Sequence, residues 1–178
     1  MQRIVILGNA GSGKSTLART LGERLGLPVV HLDRLFWSPG WVEPDAEQFR
    51  TRVREAVAPD AWVCEGNYAR RTFDLRLPRA DLIIWLDTPR LTCFTRVILR
   101  SALKRPRPDM AAGCTDRIDR AFLTFLKFVW TFDRSYRPGI EAVRLAVAPR
   151  VPVAHLRGSR QIEAFLGSLP AATEGCLE

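Results

Sequence analysis

Five short apolar runs, at 3–7, 28–32, 61–65, 81–87 and 151–156, alternate along the chain with stretches whose apolar positions recur at helical spacing. Runs this short and this uniformly apolar fit strands covered on both faces. Their alternation with helical patterns predicts an α/β fold built on a five-stranded parallel sheet. The first helix opens at Thr16-Leu17-Ala18-Arg19-Thr20-Leu21 and ends at Gly26 and Pro28. Another starts at Asp45, which can cap it, and places Phe49, Val53 and Val57 on one face. Pro59-Asp60 closes that helix before the strand Trp62-Val63-Cys64, and Pro89 can start the helix that follows the run 81–87.

Further along, residues 104–116 break the periodicity with Lys104-Arg105-Pro106-Arg107-Pro108-Asp109 and then Gly113, which reads as an insertion between two helices. A long apolar helix is expected over 117–133, its aromatic stripe serving as core packing. Arg137-Pro138-Gly139 reads as a turn, 140–148 and 160–168 as helices, and 170–178 as a loose tail. The expected organisation is one domain over 1–169 with an arginine-rich lid at about 100–120.

Composition changes this picture in one respect. Apolar residues at 47% and charged residues at 26% are ordinary, and no apolar stretch approaches a membrane span. The first strand begins within three residues, so no signal peptide is expected, and Cys64, Cys93, Cys114 and Cys176 read as reduced cysteines of a cytoplasmic protein. The net charge of +8 is different: it is almost all arginine, with Lys14, Lys104 and Lys127 the lysines, and its strongest cluster lies at 96–120. Guanidinium groups bind phosphate bidentately, so the excess fits an anion-handling site; a basic nucleic-acid face and solvated surface charge are the alternatives.

Between the first strand and the first helix stands Gly8-Asn9-Ala10-Gly11-Ser12-Gly13-Lys14-Ser15, a complete G-x-x-x-x-G-K-S. That spacing wraps main-chain N–H groups around a nucleotide's phosphates. Gly8 and Gly13 permit the backbone angles, Lys14 reaches the β- and γ-phosphates, and the Ser15 hydroxyl is a ligand for Mg²⁺, with Thr16 next in the helix. Ligands of open parallel sheets bind at the carboxyl ends of strands, which draws attention to His31-Leu32-Asp33, to Glu65-Gly66-Asn67-Tyr68 and to Asp87-Thr88. His31 lies two residues before Asp33, which would put the two on one face of one strand; it reads as a packed core residue and stays outside the catalytic set.

The chain resembles the small-molecule kinase branch of P-loop proteins, the adenylate kinase and shikimate kinase type, and more narrowly the bacterial DNA topology modulation proteins. The resemblance rests on 8–16, on His-Leu-Asp at 31–33 with Phe-Trp-Ser-Pro-Gly-Trp at 36–41, and on Glu-Gly-Asn-Tyr at 65–68. It continues through 81–87, Arg-Pro-Asp-Met at 107–110, Gly-Cys at 113–114 and the segment 122–130. It implies a three-layer α/β/α P-loop fold using ATP and Mg²⁺ to phosphorylate a small-molecule hydroxyl or phosphate. In that reading Asp33 stands beside the acceptor and can orient or deprotonate it. Glu65 holds Mg²⁺ through water, although many relatives carry Asp there, and the longer Glu alters reach. Gly66 lets the acceptor approach the backbone, Asn67 and Tyr68 form a hydrogen-bonding wall, and Trp37 and Trp41 with Phe36 form another.

The arginines of the break resemble a lid, with Arg100 and Arg107 the first choices for the γ-phosphate; Arg96 and Arg100 share a helical face. The absence of an N-K-x-D guanine-type motif favours ATP, with Arg157-Gly158-Ser159-Arg160 a candidate adenine-side contact. Two other classes also fit the sequence. One is a nucleic-acid-associated ATPase or DNA topology regulator, for which no base-reading module is visible. The other is a nucleotide-binding switch with little turnover.

Overall fold

The computed structural model describes residues 1–103, 109–110, 113–114 and 119–170. Arg105, Arg107, Arg117 and the expected tail beyond 170 lie outside the described residues. The elements run β1 (Arg3–Gly8), α1 (Lys14–Leu25), β2 (Val29–His31), α2 (Leu32–Phe36), α3 (Ala46–Ala56), β3 (Trp62–Glu65), α4 (Ala69–Arg76), β4 (Leu82–Leu86), α5 (Arg90–Ala102), α6 (Arg120–Ser135), α7 (Arg137–Val147), β5 (Val153–Leu156) and α8 (Gly158–Ser168). The five strands form one all-parallel sheet in the order β2-β3-β1-β4-β5. The first strand in the chain is therefore the central one, flanked by β3 and β4.

Strand periodicity divides β1 between two cores. Ile4 and Ile6, with Val63, Ile84 and Leu86, pack on Leu17, Ala18 and Leu21 of α1 and on Ile162 and Phe165 of α8. Val5 and Leu7, with Cys64, Ile83 and Trp85, face the opposite layer, where Phe36, Phe49, Val53, Phe73 and Phe132 close over them. Helices on both sides explain why the strands read as continuous apolar runs. A third cluster, of Cys93, Val97 and Val129, joins α5 to α6. Among the described residues no helix is long and apolar enough to cross a membrane.

The local signals mostly act where the sequence places them. Asp45 Oδ2 accepts from the N–H of Glu47 and Gln48 and caps α3, and Gly26 ends α1 in the left-handed region. Two readings need correction. Residues 137–139 are the first turn of α7 rather than a separate turn, because Pro138 lies where a missing N–H costs nothing. Asp33 lies in the first turn of α2, not on the strand of His31, since the burial of Leu32 and Phe36 one turn apart coils the chain directly after β2. The stretch behind Tyr68 is also helical, as α4.

Candidate active site

The loop 8–13 leaves the centre of the sheet and turns into α1, and close contacts on both flanks fix its path. A Cβ on Gly8 (φ +145) would stand 2.8 Å from the Leu86 carbonyl oxygen, and one on Gly11 (φ +77) 2.5 Å from that of Cys93. Only glycine fits at either point. Gly13 caps α1 with no side-chain acceptor, so the first N–H groups of the helix face the loop and favour an anion there. Lys14 Nζ donates to the carbonyls of Gly8 (3.1 Å) and Asn9 (2.8 Å), which holds the ammonium across the loop. Thr88 Oγ1 donates to the Ser12 carbonyl at 3.0 Å and pins the loop from β4. The Asn9 side chain turns away, donating to the Val129 carbonyl of α6.

From β3 comes a second brace. The Asn67 amide bonds both backbone groups of Gly8, accepting from its N–H at 3.1 Å and donating to its carbonyl at 2.9 Å. The Gly66-Asn67 turn is held in its own right by Arg76, a fully buried residue of α4 whose Nη2 donates to the Gly66 carbonyl at 2.5 Å and to that of Asn67. Asn67 thus serves the phosphate loop as well as lining the cleft. Gly66 also lines the cleft, yet its missing side chain makes room for Leu32, whose Cβ lies 3.0 Å from where a Gly66 Cβ would be.

Beside Lys14, four side chains converge. Ser15 Oγ lies 3.2 Å from Glu65 Oε1 and 3.1 Å from Asp109 Oδ2, and the same Glu65 oxygen is 2.9 Å from His31 Nδ1. Register accounts for the last contact, because His31 and Glu65 are direct partners across β2 and β3. Both are buried, as the sequence reads for His31, and their contact joins His31 to this cluster. A hydroxyl and a carboxylate at the mouth of a phosphate loop fit Mg²⁺, which keeps several waters and takes few protein oxygens. Among the described residues no group of three or more His, Cys, Asp or Glu is placed to hold a metal ion by itself.

Across the cleft, Asp33 Oδ1 accepts from Tyr68 Oη at 2.7 Å. Burial first, and then the neighbouring Asp33, push the Tyr68 phenol far above its ordinary value, so it stays protonated and donates. Trp37 and Trp41 line the wall above, ring centroids 5.3 Å apart, whereas Phe36 sinks into the core and takes no part. Arg96 and Arg100 of α5 both line the cleft. The Arg96 guanidinium lies 3.9 Å from where a Gly13 Cβ would stand, over the start of α1, although the sequence ranks it behind Arg100. Phe122, Phe125 and Phe128 extend the α6 stripe from the core to the cleft wall. The phosphate loop, Asp33, Tyr68, Trp37 and Trp41 line one continuous cleft. Arg157 lies away from this lining, 3.8 Å from Asp87 at the end of β4.

The cleft therefore gathers Ala10–Thr16, Asp33, Trp37, Glu65–Tyr68 and Arg100. Sequence reasoning missed Asp109, Arg76 and the role of His31. Asp109 lies in the Arg-Pro-Asp-Met stretch, which does not show that it meets Ser15, Arg76 carries no local signal, and the contact of His31 becomes visible only through the pairing of β2 with β3.

The chain is 35% identical to shikimate kinase of Symbiobacterium thermophilum over 123 residues, 58% of this chain and 67% of that one. It is 33% identical to adenylate kinase 2 of a Nostoc species over 128 residues, 56% of this chain and 69% of that one. Among solved structures, shikimate kinase from Bacteroides thetaiotaomicron superposes with a TM-score of 0.54 over 93% of this chain and 94% of that one, at 19% identity, a likeness of fold. No family profile matches the chain.

Proposed function

We propose that this chain, which belongs to the P-loop small-molecule kinases, moves the γ-phosphate of ATP onto a small-molecule hydroxyl. The observation that carries the acceptor half is Asp33, held by the Tyr68 hydroxyl in the same cleft as the phosphate loop. Loop N–H groups and Lys14 cradle the phosphates, with Lys14 exchanging its two carbonyl partners for phosphate oxygens. Ser15 and Glu65 would hold the Mg²⁺ that accompanies the nucleotide, and that cation would supply charge neutralisation to the reacting phosphate. The acceptor oxygen bonds to the γ-phosphorus as the bond to the bridging oxygen breaks. ADP departs, and the acceptor's proton passes to Asp33. Arg96 and Arg100 of α5, and Arg107 in the lid, are proposed to meet the equatorial oxygens.

The relatives lend no support to a nucleic-acid-associated ATPase or a low-turnover switch. A phosphate acceptor in place of a hydroxyl remains within the same chemistry and is separated by the same assay. The test is transfer from labelled ATP, with Mg²⁺, to a panel of hydroxyl- and phosphate-bearing metabolites. We expect acceptor-dependent product with the wild type, and a fall of roughly 10²–10⁴-fold in kcat for Asp33→Asn. Lys14→Met, which keeps the bulk and removes the charge, should abolish transfer. ATP turnover that no acceptor stimulates would sink the proposal.

A further inference from the structure

Asp109 is 94 residues from Ser15 in sequence, yet its Oδ2 stands 3.1 Å from the Ser15 hydroxyl. That hydroxyl has one proton and faces two carboxylates, since Glu65 Oε1 is 3.2 Å away on its other side. A carboxylate on either side of that hydroxyl, at the mouth of a loop shaped for phosphates, suits a nucleotide that arrives with a divalent cation. Gly113 and Cys114 touch the 38–42 turn on the other half of the cleft. Met110 and Cys114 are buried, and the Cys114 thiol donates to the Ser38 carbonyl at 3.3 Å. Gly113 lies against Pro39, with 3.3 Å between a Gly113 Cβ and that of Pro39. Ser38 pairs with Val42 across a bridge that closes the turn bearing Trp41, and Trp37 directly precedes it.

We propose that Asp109 is a positioning residue for the metal–nucleotide complex, tying metal binding at Ser15 to the Trp37–Trp41 turn on the acceptor side. The inference rests on the kinase reading above. With nucleotide and cation in place, Asp109 would help hold the cation beside Ser15, and the contacts of residues 113–114 would hold the 38–42 turn in register with it.

The test compares wild type, Asp109→Asn and Asp109→Glu by calorimetry with ADP, in Mg²⁺ and in EDTA. Alongside, alkylation of Cys114 is followed by peptide mass spectrometry with and without Mg-ADP. Burial pushes the Cys64 and Cys93 thiols up to about 11, so they add little to the labelling. In the wild type, Mg-ADP should bind more tightly than ADP and slow Cys114 alkylation. Asp109→Asn should weaken Mg-ADP by about 10-fold, as loss of a carboxylate beside a metal does, leave ADP in EDTA unweakened, and remove the protection of Cys114. Asp109→Glu should restore part of both. Equal weakening of both nucleotide forms, no weakening, or Cys114 protection that survives the substitution would each overturn the proposal. Wild type that binds no Mg-ADP would instead remove the kinase reading beneath it.

Discussion

At the scale of single residues, Arg76 illustrates a site depending on a side chain that never meets a ligand. Its guanidinium is fully buried, and its hydrogen-bond partners among the described residues are two carbonyls, the Thr72 hydroxyl and the Cys64 sulfur. Burial lowers its pKa, but from a value so high that the group stays charged at neutral pH. Arg76→Met should strip the Gly66 and Asn67 carbonyls of their donor. The expected cost is about 1–3 kcal/mol in urea unfolding, with weaker ADP binding because Asn67 loses its hold. Asp81 gives a pH dependence of known sign. It accepts from the N–H groups of Gln2 and Arg3 and from the Arg3 guanidinium, the Gln2 bond being the largest cause that lowers its pKa. The unfolded chain takes up that proton more readily. The contribution is therefore full above the ordinary 3.8 and fades as pH falls through the lowered folded value. Urea midpoints measured from pH 5 downward should fall less in Asp81→Asn than in wild type. Lys14 and Ser15 were legible because a fixed local spacing announces them. Arg76, His31 and Asp109 were not, because each acquires its role only from a partner brought close by folding.

Among the elements, the strands were legible within a residue or two, since burial on both faces writes a continuous apolar run. The helices α2 and α4 were not. Over the short span of α2, with two buried positions, the chain has too few turns to display a period, and α4 starts behind Tyr68 in the left-handed region, φ 37. Cap chemistry was easier to read. Asp45→Ala should lower stability by about 1 kcal/mol in thermal or urea unfolding, because two N–H groups of α3 lose their acceptor. The loop is less forgiving. Gly11→Ala would drive a methyl into the Cys93 carbonyl at a positive φ, so thermal unfolding should show a loss of about 1–3 kcal/mol and ADP affinity should drop with it.

For the whole molecule, the sequence indicated five parallel strands but not their order, because strand pairing is written in long-range packing and not in any one run. The order β2-β3-β1-β4-β5 sets the loop at the sheet's centre, between Glu65 and Thr88. A ligand there couples to much of the fold. Mg-ADP at 100 times its Kd should stabilise the protein by about 2.7 kcal/mol in thermal unfolding, an increment that Lys14→Met should reduce. The Asn67–Gly8 pair has a further consequence, and it is kinetic. One amide clamps the start of the phosphate loop to the turn whose next residue, Tyr68, holds Asp33. In the proposed reaction the donor and acceptor halves would thus be laid out relative to each other by the protein itself, so that neither substrate would have to bind first to create the other's place. Initial-rate plots should intersect, and a dead-end analogue of either substrate should leave the other free to bind, the pattern of random addition.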